Sequence, residues 1–404
     1  MKPPQKRIAI LIFYAAAFLC AVARAQSLDT IGVTLLRAVT TNLNGAGIRV
    51  AQPEAYDNGT TNWEVNPASS LVQQPNSLFT YASNLGSTNN YPNALNTESG
   101  HADLVAGNFY GVPAGVATNI AHMDNYDANY FVNSIIGVTF PPNINDPVVN
   151  QSFSFGALAA TNQQPVDSAY DNYSAEYKTL FVSAVDNAGN VHAPGTSYNC
   201  IGVAAYGGSS SVGPTIDNGR AKPDITAPAT ETSLSTPQVA GAAAVLMQAG
   251  LRGDGGSDTN SAADIRTVKA LLLNGAVKPA DWTNNFPSPL DTRYGAGVLN
   301  VFNSYEQLAG GKHSFNFSTN VPAGSAHWPV AIANSIFSLS GWNFTNITSG
   351  SASDAVNHYF LNLTNNSSAP FVATMTLVWN RQQGQTNINN LNLFLYDCAN
   401  SNLV

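Results

Sequence analysis

Between residues 48 and 302, short apolar β-branched runs alternate with stretches of helical period, and this alternation restricts the fold more than any other feature of the chain. "IRVAQ" (48–52), "VVNQSFS" (148–154), "LFVSAV" (180–185) and "IGVAA" (201–205) read as buried strands. "ANYFVNSIIG" (128–137) and "SAADIRTVKALLL" (261–273) have the spacing of helices, the second opening on Ser261 as N-cap with Asp264 three residues on. Strand-helix alternation over this length predicts an α/β domain around a mainly parallel sheet. In such sheets, ligand sites lie beyond the carboxyl ends of the strands.

Past about residue 310 the texture changes. "ATMTLVWN" (373–380) and "LNLFLYD" (391–397) alternate with period two, with Asn, Ser, Thr and Gly between them. That pattern predicts strands of a β-sandwich-like C-terminal region, 311–404, with the last candidate strand close to Val404. The start of the chain, "MKPPQKRIAILIFYAAAFLCAVARAQ", combines basic residues, an apolar run from 8 to 22 and Ala23-Arg24-Ala25. This is the layout of a secretory signal peptide over residues 1–25, and the run is shorter than the ~20 residues a spanning helix needs. The expected organisation is therefore signal 1–25, α/β domain 26–310 and β-rich region 311–404, in an exported protein free of the membrane once the signal is cleaved.

Only 10% of the residues are charged and 44% are apolar, enough for a large core. Loss of the signal removes Lys2, Lys6, Arg7 and Arg24 and no acid, taking the formal net charge from -8 to -12. A charge of that sign argues against nucleic acid as a partner. Cys200 and Cys398 would remain, too few and too far apart for a disulfide framework, and no metal-ligand spacing is present.

The stretch "ETSLSTPQVAG" (231–241) holds Ser233 near a helix start. Thr236 and Pro237 make a suitable N-cap and first-turn pair, and the helix is expected to run to Gly250. A nucleophilic serine also needs a base, a carboxylate to orient that base, and donors for the developing oxyanion. His101 opens a helix-like stretch in "SGHADLVAG" (99–107), Glu54 closes the strand in "IRVAQPEAYDNG", and Asp186-Asn187 close another in "LFVSAVDNAGN". Each alone reads as an ordinary turn residue. Together, at element ends within one domain, they form a candidate constellation.

These segments, in this order, resemble the subtilisin-like serine proteases, the subtilases. "TSLSTPQVAGAAAVLM" resembles the family's "GTSMATPHVAGAAALL", which implies Ser233 as nucleophile. "HADLVAG" resembles "HGTHVAG", implying His101 as general base, and "VSAVDNAG" resembles "VAAAGNEG", implying Asn187 as the side-chain oxyanion donor. "RVAQPEA" resembles "VAVIDTG", which sets Glu54 where the family has aspartate; Asp57, three residues on, is the alternative orienter. The likeness covers about residues 45 to 309 and implies a three-layer subtilisin-like domain and a secreted endopeptidase acting on polypeptides. It also implies that "VVNQSFSFG" walls the first specificity pocket, with either Ser152-Phe153 or Ser154-Phe155-Gly156 in the family's "SLG" place. Calcium sites are common in such proteins, but no stretch here can be assigned to one.

Two departures bear on activity. Glu231 stands where the family has the glycine of "GTS", and Asp186 where it has the glycine of "GN". An ionised acid close to the oxyanion would oppose the charge that forms there. These departures support a second reading: a subtilase-like protein that binds peptides or surface material and hydrolyses nothing.

Overall fold

The computed structural model describes residues 27–92, 95–284, 288–322, 339–347, 353–361, 373–397 and 402–403; the stretch expected to be a signal peptide, 1–25, and Cys398 lie outside the described residues. Helix α1 (Val33–Val39) leads into strand β1 (Arg49–Glu54), followed by β2 (Phe79–Ser83), β3 (Gly86–Thr88), helix α2 (Gly100–Phe109) and β4 (His122–Asp127). One α-helical turn at Ala128–Tyr130 continues as a π-helix over Phe131–Ile136. Then come β5 (Val148–Gln151), α3 (Ala160–Tyr177), β6 (Leu180–Ala184), β7 (Ile201–Tyr206), β8 (Ile225–Pro228), α4 (Thr232–Arg252), α5 (Ile265–Gly275) and α6 (Val301–Ala309). The eight strands form one sheet in the order β3-β2-β4-β1-β5-β6-β7-β8, parallel except for β3.

Alternate residues of each central strand enter different cores. Val50, Val148, Leu180, Val182, Ile201 and Val203 join the cluster beneath α2, α4, α5 and α6. Ala51, Val149 and Phe181 join the opposite cluster, beneath α3 and the π-helix, with Tyr170, Tyr173 and Phe131. A period of two with both faces apolar is what a sheet covered on both sides requires, and the three layers follow. Chain order places β4 on one side of β1 and β5 on the other, so the crevice of the sheet opens beside β1.

Several local expectations are corrected. Helix α4 begins at Thr232, with Glu231 as its N-cap residue, so Pro237 lies inside the helix rather than at its first position. A proline there removes an N–H that would have bonded the Ser233 carbonyl, and Ser152 Oγ replaces it at 2.7 Å. The helix ends at Arg252, with Gly253 left-handed behind it, two residues past the expected stop at Gly250. Ser261 closes no helix start: Asp258 caps the short helix Thr259–Ala262, and Asp264 caps α5 by accepting from the Arg266 N–H.

Beyond residue 311 regular structure is sparse, with β9 (Asn316–Pro322) paired antiparallel to β10 (Ser353–His358) and β11 (Tyr396–Asp397) to β12 (Asn402–Leu403). The alternating run 373–380 is not a strand. It and the turn after it are held by the α/β domain instead. Thr376 Oγ1 donates to Asn274 Oδ1, the Arg381 N–H to Asn199 Oδ1, Asn199 Nδ2 to the Arg381 carbonyl, and the Gly384 N–H to Asn172 Oδ1. Polar side chains of the domain thus do the work of a neighbouring strand.

Candidate active site

Three strand ends, those of β1, β5 and β6, and two helix starts, those of α2 and α4, converge at the carboxyl edge of the sheet. Glu54 is the last residue of β1 and only 1% exposed. Its Oε2 lies 3.0 Å from His101 Nδ1, while its Oε1 accepts from Gln52 Nε2 at 2.8 Å. Gln52 precedes Glu54 by two residues, on the same face of the strand, and is itself fixed by the Tyr110 hydroxyl and the Ala102 carbonyl. Sequence reading passed over Gln52; a glutamine buried in an apolar strand was the available signal.

His101 is the second residue of α2, whose N-cap Ser99 accepts from the Ala102 N–H. Asp57 does not reach the imidazole by a hydrogen bond. Its two oxygens accept from Ser99 Oγ and the Gly100 N–H, and so secure the start of the helix. With the proton on Nδ1 facing Glu54, His101 Nε2 is left as an acceptor. Burial works against the imidazolium, but the Glu54 hydrogen bond and the charges of Glu54, Asp57 and Glu231 outweigh it and leave the His101 pKa above its ordinary value.

Ser233, 7% exposed, is in the first turn of α4. Its N–H, at the second helical position, has no intrahelical acceptor, and the positive end of a 21-residue helix is at hand. Asn187 follows β6, and its Oδ1 accepts from both the N–H (2.9 Å) and the hydroxyl (2.8 Å) of Thr232. The amide is thereby fixed at the residue before Ser233, with its oxygen used and its Nδ2 hydrogens free to meet another acceptor.

The residues after β5 divide between two settings. Ser152 is buried, and its hydroxyl donates to the Ser233 carbonyl. Phe153 and Phe155 meet edge to face, and Phe155 continues onto Tyr170 in the core under α3. Gly156 is left-handed at φ 65°, its N–H donating to Ser154 Oγ.

Glu231 and Asp186 differ in how they are held. Glu231 is exposed, extended at φ −147° and makes no side-chain capping bond. Asp186 sits at φ 86°, a left-handed conformation that explains why glycine suits this position and that aspartate tolerates better than most residues. Its Oδ1 accepts from the Asn187 N–H at 2.6 Å, and its Oδ2 from Ser154 Oγ at 2.7 Å and His192 Nδ1 at 2.8 Å. Burial works against this carboxylate, yet the bonds from His192, Ser154 and Asn187 hold its pKa below the usual range. Its charge is therefore answered locally. His192 gave no sign of its role in the sequence.

Among the described residues, no group of three or more His, Cys, Asp or Glu side chains could hold a metal ion. No helix among them is long and apolar enough to cross a membrane.

No curated protein matches the chain. Among solved structures, it is similar to the prenylagaramide maturation protease PagA, with 19% identity over 69% of this chain and 99% of that one and a TM-score of 0.48. It is also similar to the patellamide maturation protease PatA (20%, 66% and 98%, TM-score 0.42) and to a protease from Pseudoalteromonas arctica (18%, 66% and 91%, TM-score 0.43). The sequence pattern of the subtilase family matches residues 47–297, well over half of the chain. On that match, and with a mainly parallel sheet carrying this serine, histidine and acid in subtilase order, the chain belongs to the subtilase family.

Proposed function

We propose that this chain is a secreted subtilisin-like serine endopeptidase that cleaves polypeptides through an acyl-enzyme on Ser233. The observation that carries the reading is the 3.0 Å contact between the buried Glu54 carboxylate and His101 Nδ1. It fixes the tautomer in which Nε2 can take the Ser233 proton. In this mechanism the freed oxygen attacks the scissile carbonyl, and the oxyanion is received by Asn187 Nδ2 and the Ser233 N–H. His101 then protonates the leaving amine, and a water deprotonated by the same ring releases the acyl group. Glutamate is one methylene longer than aspartate, and its second oxygen, held by Gln52, keeps that longer arm from rotating.

The layout of the first 25 residues supports export through a signal peptide. Main-chain pairing with an extended peptide, the usual way such a crevice holds a substrate, is tolerant of sequence and supports action on polypeptides in general.

Glu231, exposed beside the nucleophile and acting electrostatically on His101, favours a second reading in which peptides are bound and not cut. One experiment separates the two. On the protease reading, a fluorophosphonate probe labels the mature protein at Ser233, casein is degraded, and Ser233→Ala abolishes both. Casein cleavage that persists in Ser233→Ala, or a wild-type protein that neither labels nor cleaves, refutes it.

A further inference from the structure

The segments leaving β5 and β6 are joined to one another beyond the carboxyl edge of the sheet. The Ser154 hydroxyl, two residues past Ser152, reaches Asp186 Oδ2 at 2.7 Å, and His192 Nδ1 meets the same oxygen at 2.8 Å. A second tie lies just beyond, where the Phe155 N–H donates to the Ala193 carbonyl at 2.8 Å. The Asp186 side chain is 30% exposed and that of His192 13%, so the first tie is partly open to solvent. Nothing in the proton relay requires it.

Its position relative to the reacting atoms follows from the site geometry. A carbonyl carbon bonded to Ser233 Oγ, with its oxygen at Asn187, carries the acyl-side residue one bond away. Two segments flank that position: 152–156, whose Ser152 hydroxyl bonds the Ser233 carbonyl, and 185–187, in which Asn187 follows Asp186 directly. The gap between them is the one that Ser154 and Asp186 span.

We propose that the Ser154–Asp186 hydrogen bond, braced by His192, is a crossbar over the acyl-side pocket that restricts cleavage to bonds following small residues such as glycine, alanine or serine. A bulky acyl-side residue would have to break the bond and expel Asp186 from three hydrogen bonds. A methyl group need not displace it. The inference deepens the protease reading and rests on it, since it assigns the specificity of that same site.

The test compares two peptide p-nitroanilides that differ only in the residue before the scissile bond, alanine or phenylalanine. Wild-type protein is expected to favour the alanine substrate in kcat/KM by about tenfold or more. Asp186→Gly, which suits the left-handed backbone and removes the bar, should shift the phenylalanine-to-alanine ratio upward by a similar factor. Ser154→Ala, which leaves Asp186 bonded to His192, should shift it less and in the same direction. The ratio is unaffected by any fraction of protein that fails to fold, and a purely structural role would lower both rates together. A wild type that prefers phenylalanine, or a ratio unchanged in Asp186→Gly, overturns the crossbar while leaving the protease intact. A wild type that labels at Ser233 yet cleaves neither substrate also overturns it. A wild type that neither labels nor cleaves removes the protease reading and the crossbar with it.

Discussion

Ser152 Oγ donates a 2.7 Å hydrogen bond to the carbonyl of Ser233, the carbonyl that Pro237 leaves without a helical partner. The residue four positions on in an α-helix normally supplies that donor, and proline cannot. One hydroxyl therefore joins the end of β5 to the first turn of α4. It lets the helix begin early enough for Ser233 to sit on it, and it fixes Ser233 relative to the sheet.

Removing that hydroxyl should leave a buried carbonyl unsatisfied, at a cost of about 1–3 kcal/mol. Ser152→Ala is expected to lower Tm by a few degrees and to reduce kcat more than it raises KM, because the first turn of α4 loses its anchor. Pro237→Ala restores an N–H at the right place in the helix. The double variant Ser152→Ala/Pro237→Ala should then recover much of the lost Tm. Losses that simply add, measured by thermal unfolding of the four proteins, refute the assignment.

Glu54 and Asp57 make separable predictions. Glu54→Gln can offer its oxygen or its amide to His101 Nδ1, and the amide imposes the wrong tautomer. kcat/KM should fall about a thousandfold or more, the scale of tautomer errors at such an orienter. Asp57→Ala removes the bonds to Ser99 and Gly100 at the start of α2 and one of the weaker charges acting on His101, leaving the Glu54 contact in place. It should cost about 1 kcal/mol of stability, as the loss of a helix cap does, with kcat/KM within a few-fold of wild type. Equal losses in the two variants would show that Asp57 shares the orienting role.

The site was readable in the sequence wherever a residue type is tied to a short local pattern. Glu54, His101, Asn187 and Ser233 each close or open an element, and the element boundary could be recognised from its apolar run. What escaped were partners supplied from elsewhere in the chain. Pro237 looked like a first-turn proline because the donor that lets a helix run through it, Ser152, lies 81 residues away. Gln52 and His192 are ordinary polar residues until Tyr110 and Asp186 are placed beside them. The same limit explains residues 373–380, whose alternation promised a ladder. Asn199 and Asn274 satisfy polar groups in and just after that stretch, and no period in its own sequence records them.

Asp146, at the opposite end of the sheet, provides a stability test. Its side chain is fully buried, with Arg49 Nε 3.5 Å away, and its pKa is pushed up to about 9, first by burial and then by the neighbouring Asp124. In the unfolded chain an aspartate loses its proton near pH 4. Between those limits the folded state holds a proton that the unfolded state lacks, so stability must fall as pH rises through the window. Asp146→Asn keeps a donor toward Asp124 without a titrating proton. Urea unfolding at several pH values should show the variant gaining on wild type from pH 5 toward pH 9. Parallel curves for the two proteins would refute the assignment.

Glu231 is the departure from the family whose carboxylate makes no capping bond to the helix it precedes. Its negative charge stabilises the His101 imidazolium, alongside Glu54 and Asp57, and lies at the helix end where the oxyanion would form. Neutralising it in Glu231→Gln should act twice. The His101 pKa falls, so the acid limb of the kcat/KM profile, which marks loss of the base as the ring protonates, moves to lower pH. The oxyanion also loses a repelling charge, so kcat at the plateau should rise. The gain should be smaller than the roughly 3 kcal/mol that a single oxyanion donor is worth, because Glu231 is exposed and solvent screens it. Raising the ionic strength should shrink the difference between the two proteins. An acid limb that stays in place, or one that moves to higher pH, would show that Glu231 does not act on His101, and a plateau no higher than that of wild type would show that its charge does not reach the oxyanion.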